Sequence, residues 1–489
     1  MCGIAGMYLH RSEAELQRML AAIRHRGPDE EGTFLGREVA FGHARLSIID
    51  LNGGRQPILG DSGETCIIFN GEIYNHAQLR AELGGTFRTR TDTEVVLRLY
   101  EREGPACVSR LDGMFAFAIM DGADLFLARD PLGIKPLYYG HRGACLSFAS
   151  EAKALQGRVD EICEFPAGHW FHSRLGWERY FELPQPGAHI ADWQAGALRD
   201  TLEEAVAKRL MADVPVGCFL SGGLDSSTIA ALMRRHVRDL HTFAIGTPGS
   251  DDLVRAREVA EYLGTTHHEY EVTPEEIRAH LPRIIYHLES FDAALVRSAI
   301  PNYFVSRLAR QHVKVVLSGE GADELFSGYD YLKRLPMGLP LEVELLAITG
   351  ALHNTNLQRV DRMTMAHGLE GRVPFLDVAF LRLAFTIPPR DKLRGRRQIE
   401  KWALRHAFEG VLPPHILWRR KEKFSRGCGT ADIVARQAET EISDAEFAAE
   451  RSIGLWTRLH SKEELLYYRL FHRHYGENLV PLVGRSRSL

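Results

Sequence analysis

The stretch 217-GCFLSGGLDSSTIAALM-233 predicts a buried strand, a glycine-rich turn and a helix that begins at the Ser226-Ser227 pair. Glycines in such a turn let backbone N–H groups approach phosphate oxygens, and the helix N-terminus adds the positive end of its dipole. Asp225 stands where a carboxylate can hold Mg²⁺ against those oxygens. A plain tight turn also uses glycines, but the whole string SGGLDSS after a buried strand favours a nucleotide site.

Two further strands, 241-HTFAI-245 and 313-VKVVL-317, each lead into a polar turn and then a helix. Strand–turn–helix units in series predict a parallel sheet that is covered on both faces by helices. Residues 340–470 are charged and helical in pattern, and we expect the last residues, 484-GRSRSL-489, to be frayed.

Three carboxylates, Glu320, Asp323 and Glu324, cluster in 318-SGEGADELFSGY-329 directly after the third strand. An acidic triplet in isolation is typically a solvated turn, but ligands of open α/β sheets bind at the carboxyl ends of the strands. We therefore predict that Asp323 pairs with Asp225 around Mg²⁺ and that Glu320 orders or deprotonates an acceptor.

A basic loop, 418-WRRKEKFSRG-427, follows in the helical region. Loops this basic are usually only solvated. In a domain with an acidic nucleotide site, however, Lys421 could stabilise the charge on a departing pyrophosphate.

From residue 1 to about 183 the texture differs, because short apolar runs alternate with turn residues. Examples are 66-CIIF-69 before Asn70-Gly71, 115-FAFAIM-120 before Asp121-Gly122, and 125-LFLA-128. This pattern predicts a β-rich sandwich, with helices at about 13–24 and 93–102. The Pro/Gly-containing stretch 183–196 predicts a linker.

The N-terminus offers a nucleophile, because removal of Met1 would give Cys2 both a thiol and a free α-amine. That amine can act as the general base for the thiol. Three polar strings follow, 43-HARLSIID-50, 70-NGEIYN-75 and 90-RTDTEV-95. They supply an Arg and an Asp to clamp an amino acid, and an Asn and a Gly N–H suited to an oxyanion hole.

Composition excludes several classes of protein. The 489 residues carry a formal charge of −4, with 45% apolar and 25% charged residues, which argues against a disordered chain and a dedicated nucleic-acid binder. The seven cysteines are scattered without a C-x-x-C pair, which favours a reduced, cytoplasmic protein without structural zinc. Neither a signal peptide nor a membrane span is predicted. His267-His268 precede Glu269 with no third ligand at metal spacing, so a polar strand end is the favoured interpretation.

The motifs together resemble a known family. MCGIAG, RHRGPD (24–29), RLSIID (45–50), NGEIYN and TDTEV resemble the class II glutamine amidotransferases, and SGGLDSS resembles the PP-loop of ATP pyrophosphatases. Joined to SGEGADE, 368-GLEGRVPFLD-377 and WRRKEKFS, they resemble the glutamine-dependent asparagine synthetases from Cys2 to about residue 475.

The resemblance implies an α/β multidomain protein. An N-terminal-nucleophile αββα sandwich (the glutaminase domain, 1–183) and a linker (184–196) would precede a doubly wound parallel-sheet PP-loop domain of the adenine nucleotide α-hydrolase-like type. This synthetase domain would span 197–475, followed by a tail at 476–489.

The resemblance also implies roles for individual residues. The catalytic set would be Cys2, Asn70, Gly71, Glu320 and Lys421, and glutamine would be bound by Arg45, Leu46, Ser47, Ile48, Ile49, Asn70, Gly71, Glu72 and Asp92. ATP would be bound by Leu220, Ser221, Gly222, Gly223, Asp225, Ser226, Ile245, Ser318 and Gly319. Asp225 and Asp323 would hold Mg²⁺, and Arg297, Glu324 and Arg372 would contact the acceptor or pyrophosphate.

The implied reaction is the ATP-dependent amidation of L-aspartate to L-asparagine through aspartyl-AMP. Ammonia would come from L-glutamine, and AMP and pyrophosphate would be released. The implied partners are these small molecules with Mg²⁺, not nucleic acid or membrane, and the implied assembly is a homodimer in the cytoplasm.

One segment departs from the family pattern. Familiar members carry a Thr-Thr pair shortly before an Arg beside the acceptor site, whereas 292-DAALVRSAIP-301 has Ala294 and Leu295 there and keeps only Arg297. A different carboxylate acceptor, such as a peptide, a sugar acid or an antibiotic precursor, therefore stays open. A catalytically dead scaffold and a β-lactam or lasso-peptide type cyclase are further alternatives, against which the intact Cys2 and synthetase residues speak.

Overall fold

The computed structural model describes residues 2–395, 397–454 and 457–486. Its first part contains twelve strands and three α-helices. The strands are β1 (Gly3–Tyr8), β2 (Glu30–Leu35), β3 (Val39–Arg45), β4 (Ile58–Leu59), β5 (Thr65–Ile73), β6 (Gly113–Asp121), β7 (Asp124–Arg129), β8 (Tyr138–Arg142), β9 (Cys145–Ala149), β10 (Cys163–Glu164), β11 (His169–His172) and β12 (Gly176–Arg179). The helices are α1 (Glu13–Ile23), α2 (His76–Leu83) and α3 (Asp92–Glu103).

These elements form four layers. One six-stranded sheet has the order β10-β8-β9-β1-β3-β2 and the other β12-β11-β7-β6-β5-β4. Their inner faces share a core that includes Ile4, Phe41 and Ile68. On the outer faces, α1 packs through Leu16 and Leu20, and α3 packs through other apolar side chains against the second sheet. The predicted αββα sandwich is confirmed.

The strands β5 and β6 are longer than the apolar runs suggest. Asn70-Gly71, which we took as a turn after the strand, continues β5 and pairs with Ala116 and Phe115. Gly71 lies so close to β6 that an added Cβ would stand 2.1 Å from the carbonyl oxygen of Met114. Glycine here permits a close strand approach instead of ending the strand.

The second part is built on a parallel sheet with the order β15-β14-β13-β16-β17. Its strands are β13 (Val216–Phe219), β14 (His241–Gly246), β15 (Thr266–Glu271), β16 (Val315–Leu317) and β17 (Glu370–Arg372), and short pairs are formed by β18 (Leu393–Arg394) with β19 (Ile399–Glu400) and by β20 (Ser452–Ile453) with β21 (Thr457–Arg458). The predicted parallel sheet is confirmed, while the three-residue β17 has too little sequence pattern to be found in advance.

Helices surround this sheet. They are α4 (Ala195–Lys208), α5 (Leu224–His236), α6 (Asp251–Leu263), α7 (Pro274–Leu288), α8 (Ala293–Ala309), α9 (Ala322–Leu325), α10 (Leu339–Gly350), α11 (Asn356–Met365), α12 (Val378–Thr386), α13 (Pro389–Lys392), α14 (Trp402–Ala407), α15 (Pro414–Leu417), α16 (Phe424–Gly427), α17 (Ala431–Glu441), α18 (Asp444–Glu450) and α19 (Lys462–Tyr475). Residues 180–194 contain neither helix nor strand, whereas α4 begins at Ala195, inside the predicted linker 184–196. Among the described residues, no helix has the length and apolar character needed to cross a membrane.

The two parts meet across a layer of buried ion pairs. Arg26 of the first part bonds Asp361 on α11 at 2.7 and 3.1 Å, and its Nη1 lies 2.8 Å from Oε1 of Glu151. Arg362, also on α11, lies 2.9 Å from Glu151 and 2.9 Å from Glu289. Because a charge left unpaired in such a place is costly, the pairs fix how the two parts sit against each other.

We predict that Asp361→Asn lowers the thermal unfolding midpoint markedly. The change keeps the shape of the side chain but leaves Arg26 without its main counter-charge, and breaking a buried pair costs about 3–5 kcal/mol. The matched control is Asp444→Asn, because Asp444 is 97% exposed in its pair with Lys462 and exposed pairs contribute little. Equal midpoints for the two variants would show that the ion layer does not hold the parts together.

Candidate active site

Cys2 lies buried at the start of β1, beside Asn70 on β5. The Cys2 N–H donates to Oδ1 of Asn70 at 3.1 Å, and the thiol Sγ lies 4.0 Å from the carbonyl oxygen of Leu46. Nδ2 of Asn70 is buried and has no hydrogen-bond partner within the described part of the chain. An unpartnered donor next to a thiol is what an oxyanion hole requires. The expected removal of Met1 concerns a residue outside the described ones.

Burial raises the pKa of the Cys2 thiol, so the thiol is protonated at neutral pH and needs a base to attack. Arg26 donates from Nε to the carbonyl oxygen of Cys2 at 3.1 Å. Cys2 is thereby tied directly to the ion layer between the two parts. The sequence motif RHRGPD contains Arg26, but its spacing gives no sign of this contact.

Arg45 closes the segment 46–50 around the site. Its guanidinium bonds Oε2 of Glu30 at 2.7 Å and the carbonyl oxygen of Asp50 at 2.8 Å. Within the segment, Leu46 and Ile48 are buried in a core shared with α4, Ser47 N–H donates to Asp29 at 2.9 Å, and Ile49 is partly buried. The predicted glutamine-binding segment therefore rests on the second part of the protein.

Two predicted glutamine-binding carboxylates, Glu72 and Asp92, lie deep in the same region. Oδ2 of Asp92 accepts the Ile73 N–H at 2.9 Å, and Oδ1 accepts the Thr93 N–H at 2.8 Å. Oε1 of Glu72 lies 3.4 Å from Arg372 of β17. Burial and the neighbouring Glu370 carboxylate raise the pKa of Glu72 well above its usual range.

The pKa of Asp92 generates a prediction. Burial, with Glu370 adding to it, raises this pKa to about 6, so the carboxylate is charged above pH 6 and loses its charge below. If Asp92 pairs with the α-ammonium of glutamine, kcat/KM for glutamine hydrolysis falls by about tenfold per pH unit on the acid side of pH 6.

The control for this pH profile is Asp92→Asn, which keeps an oxygen for the backbone N–H groups. It is expected to have low activity and no acid limb at that position. A wild-type profile that stays flat down to pH 5 would remove Asp92 from glutamine binding.

A second site lies at the carboxyl ends of β13, β14 and β16, where a cavity of 330 Å³ opens. The sequence-predicted residues that line it are Leu220, Ser221, Gly223, Asp225, Ser226, Ile245, Ser318, Gly319, Glu320, Asp323, Glu324 and Lys421. Gly222, in the same turn, has a φ of +66°, which favours glycine. An added Cβ there would also stand 2.4 Å from Arg255. The Ser221 and Ser226 hydroxyls are 3.1 Å apart, which holds the turn against the start of α5.

A lysine that the sequence did not single out lies between the two predicted Mg²⁺ carboxylates. Lys401 bonds Oδ2 of Asp225 at 2.5 Å and also pairs with Asp323, which in turn pairs with Lys421. Burial opposes charge on Asp323, but the two lysines hold its pKa below the usual range. Lys401 lies in 398-QIEKWALR-405, which contains none of the motifs described above. Its position between the two carboxylates is therefore evident only from the fold.

The carboxylates fit a magnesium ion. Oδ1 of Asp225 is buried and lacks a hydrogen-bond partner among the described residues, and it lines the same cavity as Asp323. Carboxylate oxygens beside a phosphate turn are the ligands that Mg²⁺ uses together with nucleotide oxygens.

The two remaining carboxylates of this site are held by α11 and its surroundings. Glu320 pairs with Arg359 of α11, and burial raises its pKa. Glu324 accepts from Tyr329 and from Nδ2 of Asn356 at 3.1 Å, and burial together with Asp323 raises its pKa to about 7. Arg359 and Asn356 are further residues that no local motif revealed.

Two residues predicted to contact the acceptor or pyrophosphate point away from the cavity in this structure. Arg297 does not line the cavity but points to α19, where its Nε lies 3.0 Å from each carboxylate oxygen of Glu463. Arg372 is fully buried between the two parts, bonded to the carbonyl oxygens of Arg209 and Met211 at 2.7 and 2.6 Å. Each guanidinium is bonded to residues outside the cavity.

The end of the chain, expected to be frayed, instead lines the cavity as far as it is described. Arg485 and Ser486 both contribute to the wall. Ser486 donates from Oγ and N to Asp292 at 2.7 and 3.0 Å, the residue that caps α8, and Arg485 pairs with Glu464 at 2.5 Å. Residues 487–489 of the predicted tail lie outside the described ones.

Comparison with known proteins agrees with these two sites. A model of the glutamine amidotransferase domain matches residues 1–167, and the asparagine synthase model matches 197–347 and 339–482. The chain belongs to the glutamine-hydrolysing asparagine synthetase family.

Relatives in this family align over almost their whole length. The chain is 40% identical to asparagine synthetase B of Escherichia coli K12, over 100% of this chain and 93% of that protein. It is 39% identical to a probable asparagine synthetase of Dictyostelium discoideum (99% and 96%) and 40% identical to one of Schizosaccharomyces pombe (99% and 95%). Ala294 and Leu295, which stand where the resemblance implies a Thr pair, both line the cavity.

Proposed function

We propose that the protein converts L-aspartate to L-asparagine, using ATP and ammonia from L-glutamine. The observation that carries the proposal is that one chain contains both half-sites, a buried thiol beside an unpartnered amide donor and a phosphate turn beside paired carboxylates. The names and domain order of the relatives support the same reaction.

In the glutaminase half, the free α-amine of Cys2 accepts the thiol proton, and the sulfur attacks the side-chain amide of glutamine. The amine then passes that proton to the amide nitrogen, so that the C–N bond breaks and a thioester forms. Nδ2 of Asn70 and the backbone N–H of Gly71 stabilise the negative charge that develops on the carbonyl oxygen. Ammonia leaves, and water then hydrolyses the thioester to glutamate. Asp92 and Glu72 hold the amino acid, and Arg45 shapes the loop around it.

In the synthetase half, the aspartate side-chain carboxylate attacks the α-phosphorus of ATP, and pyrophosphate leaves. Ammonia displaces AMP from the resulting mixed anhydride. Mg²⁺, held by Asp225 and Asp323, would neutralise phosphate charge. Lys421 stabilises the leaving pyrophosphate, and Glu320, positioned by Arg359, accepts a proton from the attacking ammonia. The cytoplasm is the proposed compartment, in keeping with seven free thiols.

The passage of ammonia inside the protein has a candidate route along β17. The Ser318 N–H in the nucleotide loop donates to the carbonyl oxygen of Arg372 at 2.9 Å, and the side chain of the same residue meets Glu72 in the glutamine site at 3.4 Å. One residue thus touches both half-sites. A shielded path protects the acyl-adenylate from water.

We predict that Cys2→Ala abolishes glutamine-dependent synthesis but leaves synthesis from added ammonia, because the adenylating residues belong to the other part. Quantification of AMP and pyrophosphate by chromatography measures the second half. The converse change, Asp225→Asn, should remove ammonia-dependent synthesis while glutaminase activity persists. ADP as the stoichiometric product, or loss of both activities in folded Cys2→Ala, would refute the division of labour.

The acceptor is tested by specificity, because another carboxylic acid is the second candidate and Ala294 and Leu295 are what favours it. Two missing hydroxyls remove up to two hydrogen bonds, each contributing about 0.5–1.5 kcal/mol. With saturating ammonia, kcat/KM is compared for aspartate, glutamate, β-alanine and aspartyl peptides. Aspartate turned over no better than the others would leave amidation of a different acid.

The choice of arginine at the acceptor site gives a further prediction. Arg485 is paired with Glu464 just as Arg297 is with Glu463, but only Arg485 lines the cavity, where a guanidinium can bind a carboxylate. We therefore expect Arg485→Gln to raise the KM for aspartate by roughly tenfold or more while the KM for ATP changes little. The matched change Arg297→Gln removes an arginine that is bonded to Glu463, and should shift the KM for aspartate less. The reverse order of effects would restore Arg297 as the acceptor contact.

A further inference from the structure

Three histidines converge at the edge of the parallel sheet opposite the nucleotide cavity. His241 is the first residue of β14, His268 lies on β15 across from Phe243, and His312 follows α8. In a strand, residues two apart share a face, so His241 and Phe243 face the same side as His268. One nitrogen from each of the three imidazoles lies within 4.8 Å of the other two.

The contacts among the rings are close. Nδ1 of His241 lies 2.9 Å from Nε2 of His268, and the ring of His312 stacks on that of His268 with centroids 3.8 Å apart.

We propose that His241, His268 and His312 form a zinc site that takes no part in the proposed amidation reaction. Imidazole nitrogens are ligands that suit Zn²⁺ better than Mg²⁺ or Ca²⁺, which prefer oxygen. The site therefore differs in chemistry as well as in place from the carboxylates at Asp225 and Asp323.

The imidazole rings must reorient to hold the ion, because a nitrogen lone pair lies in the plane of its ring and the His312 ring is stacked on the His268 ring with centroids 3.8 Å apart. Zn–N bonds of about 2.0–2.1 Å in a tetrahedron place ligand nitrogens about 3.3 Å apart, between the 2.9 Å and the 4.8 Å limit observed. His312 is exposed and sits on the turn before β16, so its ring can rotate without a change in the strands. Zinc binding would break the hydrogen bond between Nδ1 of His241 and Nε2 of His268. The donor ring would then carry its proton on its other nitrogen.

The ion would join three segments that are distant in sequence. It would tie the starts of β14 and β15 to the turn after α8, the helix whose Leu295 and Ser298 line the nucleotide cavity. The fourth ligand would be water, because His312 faces solvent. We infer a structural site that steadies this edge of the sheet.

The test is zinc binding by the full chain, purified with chelator, followed by isothermal titration and elemental analysis after dialysis. We expect one Zn²⁺ per chain with a dissociation constant of about 1 µM or lower and a thermal midpoint that rises with zinc. With Co²⁺ as the probe, visible absorption bands of a four-coordinate ion are expected.

The variants are His268→Gln and His312→Gln, each expected to weaken binding by roughly a hundredfold. The matched control is His267→Gln, since His267 is the neighbouring residue on the opposite face, where its Nδ1 lies 2.9 Å from the Thr242 hydroxyl. It should bind zinc as the wild type does. Exposed His312 keeps the test decisive if His268→Gln fails to fold. Wild type binding no more tightly than His312→Gln, or His267→Gln losing as much, would overturn the site.

Discussion

The buried ion layer at α11 is the constraint on which the two-site arrangement depends. Arg26 touches the carbonyl oxygen of the nucleophile Cys2 and at the same time pairs with Asp361. Arg359, two residues before Asp361 on the same helix, pairs with Glu320 of the other site. A single short helix therefore contacts the machinery of both half-reactions, and its charges cannot part without a large desolvation cost.

The same logic explains why so many ionisable groups in the protein are buried yet paired. Lys401 between Asp225 and Asp323 lets two carboxylates lie close together in a low-dielectric cavity, where alone they would repel each other. Arg372 likewise offsets the repulsion between Glu72 and Glu370 where the two parts meet, because both carboxylates pair with its guanidinium.

Sequence reasoning was strongest where chemistry is local. The string SGGLDSS follows β13 as predicted, although α5 begins at Leu224, two residues before the predicted start at Ser226. The predicted helix at about 93–102 corresponds to α3. Sequence reasoning was weakest where a charged side chain has several possible ion-pair partners that are distant in the sequence. Arg297 was expected at an acceptor, but Glu463, far along the chain, is its neighbour in the fold.

The sequence by itself predicted the sandwich, the parallel sheet, the order of the two parts and the positions of Cys2 and the phosphate turn, because strand runs, helix caps and glycine turns are local signals. Only the tertiary structure decided which distant residues meet. In the fold, Lys401 lies between two aspartates, and Arg297 and Arg372 point away from the cavity. Ser486, near the end of the chain, donates a hydrogen bond to Asp292. The fold also places His312 against His241 and His268. These contacts depend on how helices pack over the sheet, and no spacing along the chain encodes that directly.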